Sequence, residues 1–236
     1  MSTKELDLLF APRSLTTVPV RGTNSRFPVN RIFCVGRNFE AHAKEMGMTE
    51  ARVAPMYFIK DASSIVESGA TVPYPPGTRN YHHEIELVAA IDKPAFRIEP
   101  DNAVDIVFGY ACGLDMTRRD LQALARDKGW PWDTGKNFEQ SAIISEIIPT
   151  ADTGHIDSGR ITLTVNGELK QSGDIRDLIW SVPELIADLS KYYHLQPGDL
   201  IYTGTPAGIG PVLPGDRLLG KIDAVGEISL IVGAAE

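Results

Sequence analysis

Apolar side chains come in short blocks along this chain, some alternating with polar residues and some unbroken, and most blocks end at glycine, proline, asparagine or aspartate. Runs of that length and punctuation predict strands. They cover residues 31–36, 55–60, 81–90, 108–115, 161–165, 200–203 and 228–232. Asn166-Gly167 follows the cleanest alternation and predicts a tight hairpin, because both residues tolerate positive φ. Helical spacing is rarer. Residues 37–47 predict a helix of two to three turns that stops at Gly47. Thr117-Arg118-Arg119-Asp120 reads as a capping box opening a helix with Leu121, Leu124 and Ala125 inward. Ser181-Val182-Pro183-Glu184 caps another, with Leu185, Leu189 and Tyr192 as its apolar stripe. Residues 102–106 predict a brief helical turn, and Pro-Gly-Asp turns stand at 197–199 and 214–216.

Strands therefore outnumber helices and connections are short, which predicts a β-rich α+β fold and not a regular βαβ alternation. Residues 1–28, interrupted by Pro12, Pro19 and Gly22, read as an irregular arm or a small extra strand pair; residues 29–236 read as one domain.

Composition narrows the partners. With 236 residues and 43% hydrophobic content the chain can bury a full core. Its 23 basic and 31 acidic residues give a net charge of −8, which argues against nucleic acid. No apolar run approaches the roughly 20 residues of a membrane-spanning helix. The opening residues lack the pattern of a signal peptide, and Cys34 and Cys112 both lie in apolar runs; a cytoplasmic protein with reduced core thiols is expected.

The chemistry begins at residues 81–90. Side chains two apart on a strand share a face, so Glu84 and Glu86 point the same way and repel each other. The apolar run after them predicts burial on both faces, where an unpaired carboxylate costs several kcal/mol by order of magnitude. The alternative is the wet face of an edge strand. Asp115 ends the next strand, and three carboxylates together form an all-oxygen site suited to Mg2+ or Mn2+. A glycosidase pair is disfavoured, because an i, i+2 pair projects side by side instead of flanking a sugar. His42 and Glu45, three apart on the 37–47 helix, read either as surface residues or as a general base with its orienting carboxylate. Arg37, Lys60, Arg118, Gln122 and Lys136 are candidates for holding an anionic substrate. Residues 203–211 look like a phosphate loop but lack its Gly-Lys-Ser/Thr ending, and Pro206 and Pro211 oppose a helix there. A rigid loop presenting the Thr205 hydroxyl to a small ligand remains.

Gly36-Arg37-Asn38-Phe39 with His42 and Glu45, His82-His83-Glu84-Ile85-Glu86-Leu87, residues 114–122, Gly135-Lys136-Asn137-Phe138 and residues 203–211 together resemble the fumarylacetoacetate hydrolase family. They run in family order over residues 30–232, with Phe39 where the family often has tyrosine. The resemblance implies a mixed β-sandwich or β-roll, usually a homodimer, with Mg2+ or Mn2+ on Glu84, Glu86 and Asp115. It implies a 2-oxo acid as substrate, His42 and Glu45 as the catalytic pair, Lys136 as the active-site lysine, and Gln122 and Thr205 as ligand contacts. The expected reaction is hydrolysis of an acylpyruvate such as fumarylpyruvate or maleylpyruvate to a C4 diacid and pyruvate in aromatic, gentisate-type catabolism. The alternatives are decarboxylation of an oxaloacetate-like acid, isomerisation or hydration on the same scaffold, and a non-catalytic 2-oxo acid binder. Three carboxylates around one dication lead to an expected net charge of about −1.

Overall fold

The computed structural model describes residues 9–41 and 52–235. Two large sheets carry the fold. The larger, of eight strands, runs in the order Met56–Lys60, Ile32–Gly36, Leu200–Tyr202, Ile85–Ile91, Val107–Asp115, Ala142–Ile144, Ile65–Glu67, with Ile148–Pro149 paired onto Val107–Asp115. The second, of five strands, runs Glu168–Asp174, Arg160–Val165, Arg217–Ile222, Gly226–Ala235, Thr71–Tyr74. This is the β-rich α+β fold that the strand pattern predicts, in the sandwich form that the family resemblance implies.

Residues 85–91 lie at the centre, and all seven are buried. Their two faces feed two different cores. Ile85, Leu87, Ala89 and Ile91 pack with Ile161, Leu163, Leu218 and Ile228 of the five-stranded sheet. Val88 and Ala90 pack the other way, with Ile32, Cys34, Ala111 and Ala142. Val18 and Phe27, from the N-terminal strand pair Thr17–Pro19 and Arg26–Pro28, close this second core. Parity puts Glu84 and Glu86 on the Val88 face, and Asp115 on the face of Ala111. Glu86 is directly opposite Gly113 on the neighbouring strand.

The expected single strand over 81–90 is instead broken at Glu84. Tyr81–His83 joins a separate three-stranded sheet between Thr117–Arg118 and Gly210–Pro211, whereas Ile85–Ile91 continues in the large sheet. The backbone groups at the joint find other partners: the Glu84 carbonyl accepts from Asp115 N–H (2.9 Å), and Ile85 N–H donates to the Gln171 side chain (3.1 Å).

The helices depart from expectation in two places. No capping box forms at Thr117, because that residue is in a short strand and its hydroxyl donates to the Asp115 carbonyl (3.0 Å). The helix Arg119–Lys128 instead buries Arg119, Gln122 and Ala125, while Leu124 is 47% exposed. Its first turn lies over the acidic groups, so the polar stripe faces inward. In the helix Val182–Tyr192, Glu184 reaches back to Ser181 N–H (2.9 Å) as expected, and Leu185 and Leu189 are buried. Tyr192, in its last turn, is 68% exposed.

The Asn166-Gly167 hairpin forms, with φ of 53° and 83°. On its returning strand the pairing shifts between Leu163 and Thr164, which leaves Lys170 as the extra residue of a bulge. Beside the bulge, Gln171 is fully buried in a strand whose other residues are exposed or half-buried.

Candidate metal centre

Glu84, Glu86 and Asp115 offer carboxylate oxygens that all lie within 4.8 Å of one another, and all three residues are buried. Each is fixed by its own element. Asp115 ends a nine-residue strand, Glu86 is one step inside the adjacent strand, and Glu84 occupies the joint between sheets. Glu86 Oε2 accepts from Gly204 N–H (2.8 Å). Gly204 has φ of +101°, and a Cβ there would lie 2.8 Å from that of Asn38, so only glycine brings this N–H so close.

Three cations meet these acids, more than the sequence suggests. Lys136 Nζ donates to Glu84 Oε2 (2.7 Å), Asp115 Oδ2 (2.6 Å) and Thr117 Oγ1 (2.8 Å). Arg119 pairs with Glu84 and also donates to the Gln122 side-chain oxygen. Lys60 Nζ lies 2.9 Å from Asp115 Oδ1 and donates to the carbonyls of Met116 (3.1 Å) and Lys136. Gly135 permits this crowding, since a Cβ on it would meet Gln122 N at 2.7 Å.

Burial disfavours the Lys136 ammonium, but Asp115 and Glu84 outweigh it and hold its pKa above the usual lysine value. Glu86 goes the other way. Burial, then Asp115 and Glu84, push its carboxyl well above the usual range. Asp115 Oδ1, although close to Lys60, is off the line of a hydrogen bond and has no donor among the described residues. A carboxyl driven toward its neutral form and an acceptor lacking a donor are what a hard dication would satisfy, so the donor set fits Mg2+ or Mn2+. With Lys60, Lys136 and Arg119 counted, a dication leaves the centre at +2. The expected −1 is corrected, because it omitted the three cations.

A cavity of about 20 Å³ opens on the acids, lined also by Gly36, Arg37, Gln122, Trp132 and Thr205. It shares Phe58, Trp132 and Lys136 with an aromatic groove of about 420 Å³. A cavity of about 630 Å³ adjoins Pro206 and Ala207, and the acids are not among its lining residues.

The structure thus gathers Glu84, Glu86, Asp115, Lys136, Gln122, Thr205 and Arg37 around one space. The Thr205 hydroxyl donates to the Ile85 carbonyl (2.7 Å) and accepts from Gln171 (2.8 Å). Arg37, with φ of 62°, holds its guanidinium 5.9 Å from the Trp132 ring centroid. Two predicted substrate contacts lie elsewhere. Lys60 is completely buried behind Asp115, off the cavity wall. Arg118 lies over the Phe138 ring at 4.2 Å and reaches the Thr134 carbonyl, because the adjacent Arg119 takes the inward position. His42 and Glu45 fall outside the described residues.

Arg119 and Gln171 escaped the sequence reading. The capping-box assignment obscured the first, whose partner Glu84 is 35 residues away. Nothing in the sequence marks Gln171. Its oxygen bonds Ile85 N–H and His83 Nδ1 (3.0 Å), and its nitrogen donates to Thr205 Oγ1 and the Pro206 carbonyl (2.8 Å each). Gln171 therefore clamps the Glu84 joint to the Thr205 loop.

The profile of the fumarylacetoacetate (FAA) hydrolase C-terminal family matches residues 31–232. A fumarylpyruvate hydrolase of Ralstonia sp is 59% identical over 180 residues, covering 76% of this chain and 93% of the relative. A mitochondrial oxaloacetate tautomerase FAHD1 of Arabidopsis thaliana is 40% identical over 202 residues, covering 86% and 90%. Among solved structures, a fumarylpyruvate hydrolase from Pseudomonas aeruginosa in complex with Mn2+ and pyruvate superposes with a TM-score of 0.94 at 47% identity, covering 97% of this chain and 100% of that one.

Proposed function

The chain belongs to the fumarylacetoacetate hydrolase family, and from that premise we propose that it hydrolyses the carbon–carbon bond of an acylpyruvate of the fumarylpyruvate type, giving a C4 dicarboxylic acid and pyruvate. The observation that carries this reading is the buried acid trio within 4.8 Å, with Lys136 bridging two of its members.

Glu84, Glu86 and Asp115 hold Mg2+ or Mn2+, which when bound supplies electrostatic stabilisation of the negative charge that develops on the 2-oxo oxygen. His42, oriented by Glu45, takes a proton from water, and the resulting hydroxide attacks the distal carbonyl carbon. The bond between that carbon and C3 of the pyruvate unit then breaks. Its electron pair stays with pyruvate, whose C3 is protonated by His42. Lys136 enters as an ammonium: burial opposes its charge, but Asp115 and Glu84 beside it outweigh that. Gln122 and Thr205 orient the substrate, and Arg37 offers a positive wall for its carboxylate. Positioned base catalysis contributes on the order of 10²–10⁴-fold.

Tautomerisation is a second reading, favoured by the 40% identity to an oxaloacetate tautomerase. The two readings share charge development at the same oxygen but differ over water activation. Fumarylpyruvate and oxaloacetate, each assayed with Mn2+ and then with chelator, separate them. Hydrolysis releases pyruvate from fumarylpyruvate in a metal-dependent way and is lost in His42→Ala. No release of pyruvate from fumarylpyruvate with Mn2+ or with Mg2+ in its place would sink the hydrolase reading.

The finer assignments belong to the same proposal: residues 29–236 as the catalytic domain with 1–28 as an arm, a homodimer, a cytoplasmic location and a place in aromatic catabolism. The family match over residues 31–232 supports the first of these. No helix among the described residues is long and apolar enough to cross a membrane.

A further inference from the structure

We propose that Lys60 makes metal binding at this centre depend on the anionic ligand, so that the dication binds weakly alone and tightly together with a dianionic 2-oxo acid or an enolate-like mimic. The inference rests on the acid trio being the metal site.

Lys60 ends the strand Met56–Lys60 and is 0% exposed. Its ammonium faces Asp115 Oδ1 at 2.9 Å and two backbone carbonyls, and it does not line the cavity. It therefore cannot touch a ligand. Its charge nevertheless lies one carboxylate away from the centre, in surroundings that screen poorly. Lys136 pairs with Glu84 and Asp115, and Arg119 with Glu84.

With all three carboxylates ionised, these cations already balance the trio, so a bare dication adds two uncompensated charges to a buried site. A planar dianion restores neutrality; a monoanion restores half. Coupling of this kind is reciprocal, so the ligand tightens the metal by the factor with which the metal tightens the ligand. A lysine that only satisfied the Met116 and Lys136 carbonyls would give a different result: removing its charge would leave metal affinity unchanged or lower it.

The test uses the full chain stripped of metal, with Mn2+ binding followed by titration calorimetry alone, with oxalate (a dianion) and with oxamate (a monoanionic isostere). Lys60→Gln keeps a donor for the carbonyls, Lys60→Met removes it, and thermal melts confirm that each is folded. The expected result is that either variant binds Mn2+ alone about tenfold more tightly than the parent, the order of effect of one poorly screened charge. The enhancement by oxalate falls by the same factor. Unchanged or weaker Mn2+ binding in a folded variant overturns the inference. Should neither variant fold, the parent decides: after correction for chelation in solution, oxalate must enhance Mn2+ binding more than oxamate does, and equal enhancement overturns the inference. Glu86→Gln separates the premise. If it leaves Mn2+ binding intact, the metal assignment fails and this inference with it. If it abolishes binding while Lys60→Gln does not tighten it, only the inference fails.

Discussion

Replacing Gln171 with leucine removes the clamp between the Glu84 joint and the Thr205 loop without changing volume much. Four hydrogen bonds disappear. Thr205 keeps its bond to the Ile85 carbonyl, and His83 can change tautomer. Two backbone groups, Ile85 N–H and the Pro206 carbonyl, are then left buried and unsatisfied. At about 1–3 kcal/mol each, the loss is about 4 kcal/mol. Burying leucine in place of an amide returns about 1.5 kcal/mol, so the net destabilisation is about 2–3 kcal/mol. With a urea m-value of about 2–3 kcal/mol/M, the unfolding midpoint falls by about 1 M. Mn2+ affinity drops as well, because Glu84 is no longer held at a fixed distance from Glu86. A midpoint within about 0.2 M of the parent would refute the idea that this amide ties the two segments together.

Other perturbations probe the remaining contacts. Asp115→Asn leaves Lys60 and Lys136 without a shared counter-charge and is expected to destabilise by about 3–5 kcal/mol and to abolish the rise in melting temperature on adding Mn2+. Gly135→Ala drives a methyl group into the Gln122 backbone; about 1–3 kcal/mol is lost, read as a lower melting temperature, and Mn2+-dependent turnover falls as Lys136 shifts. Burial pushes Asp120 upward, but the Arg79 N–H, the Thr78 hydroxyl and the Leu121 N–H outweigh it and hold its carboxyl below the usual value. A depressed carboxyl stabilises the fold above its unfolded pKa of about 3.9, and this is lost as pH falls through the lower folded value. Asp120→Asn should therefore flatten the acid limb of a plot of melting temperature against pH; an unchanged limb refutes the assignment.

The strands were legible because alternation and unbroken apolar runs report burial directly, and parity was enough to set Glu84 beside Glu86. Asp115 was legible as a strand end carrying a carboxylate. Lys136 was legible as well, but the placing of Lys60 and Arg119 was not. Whether Lys60 faces a ligand or an acid depends on which strand end it meets, and Met56–Lys60 meets its partners only after the sheet assembles. Arg118 and Arg119 are adjacent, so a shift of one residue in helix start exchanged their roles. The interruption at Glu84 escaped because its cause, the amide of Gln171, is 87 positions further along the chain, at a hairpin bulge.

That interruption bears on anyone hoping to graft the centre into another scaffold. One acid is mounted where two sheets meet, and the other two belong to a single sheet. Copying the three acids onto a continuous ribbon would reproduce their order and lose their spacing. The transplantable unit is the junction itself, with the distant amide that pins it.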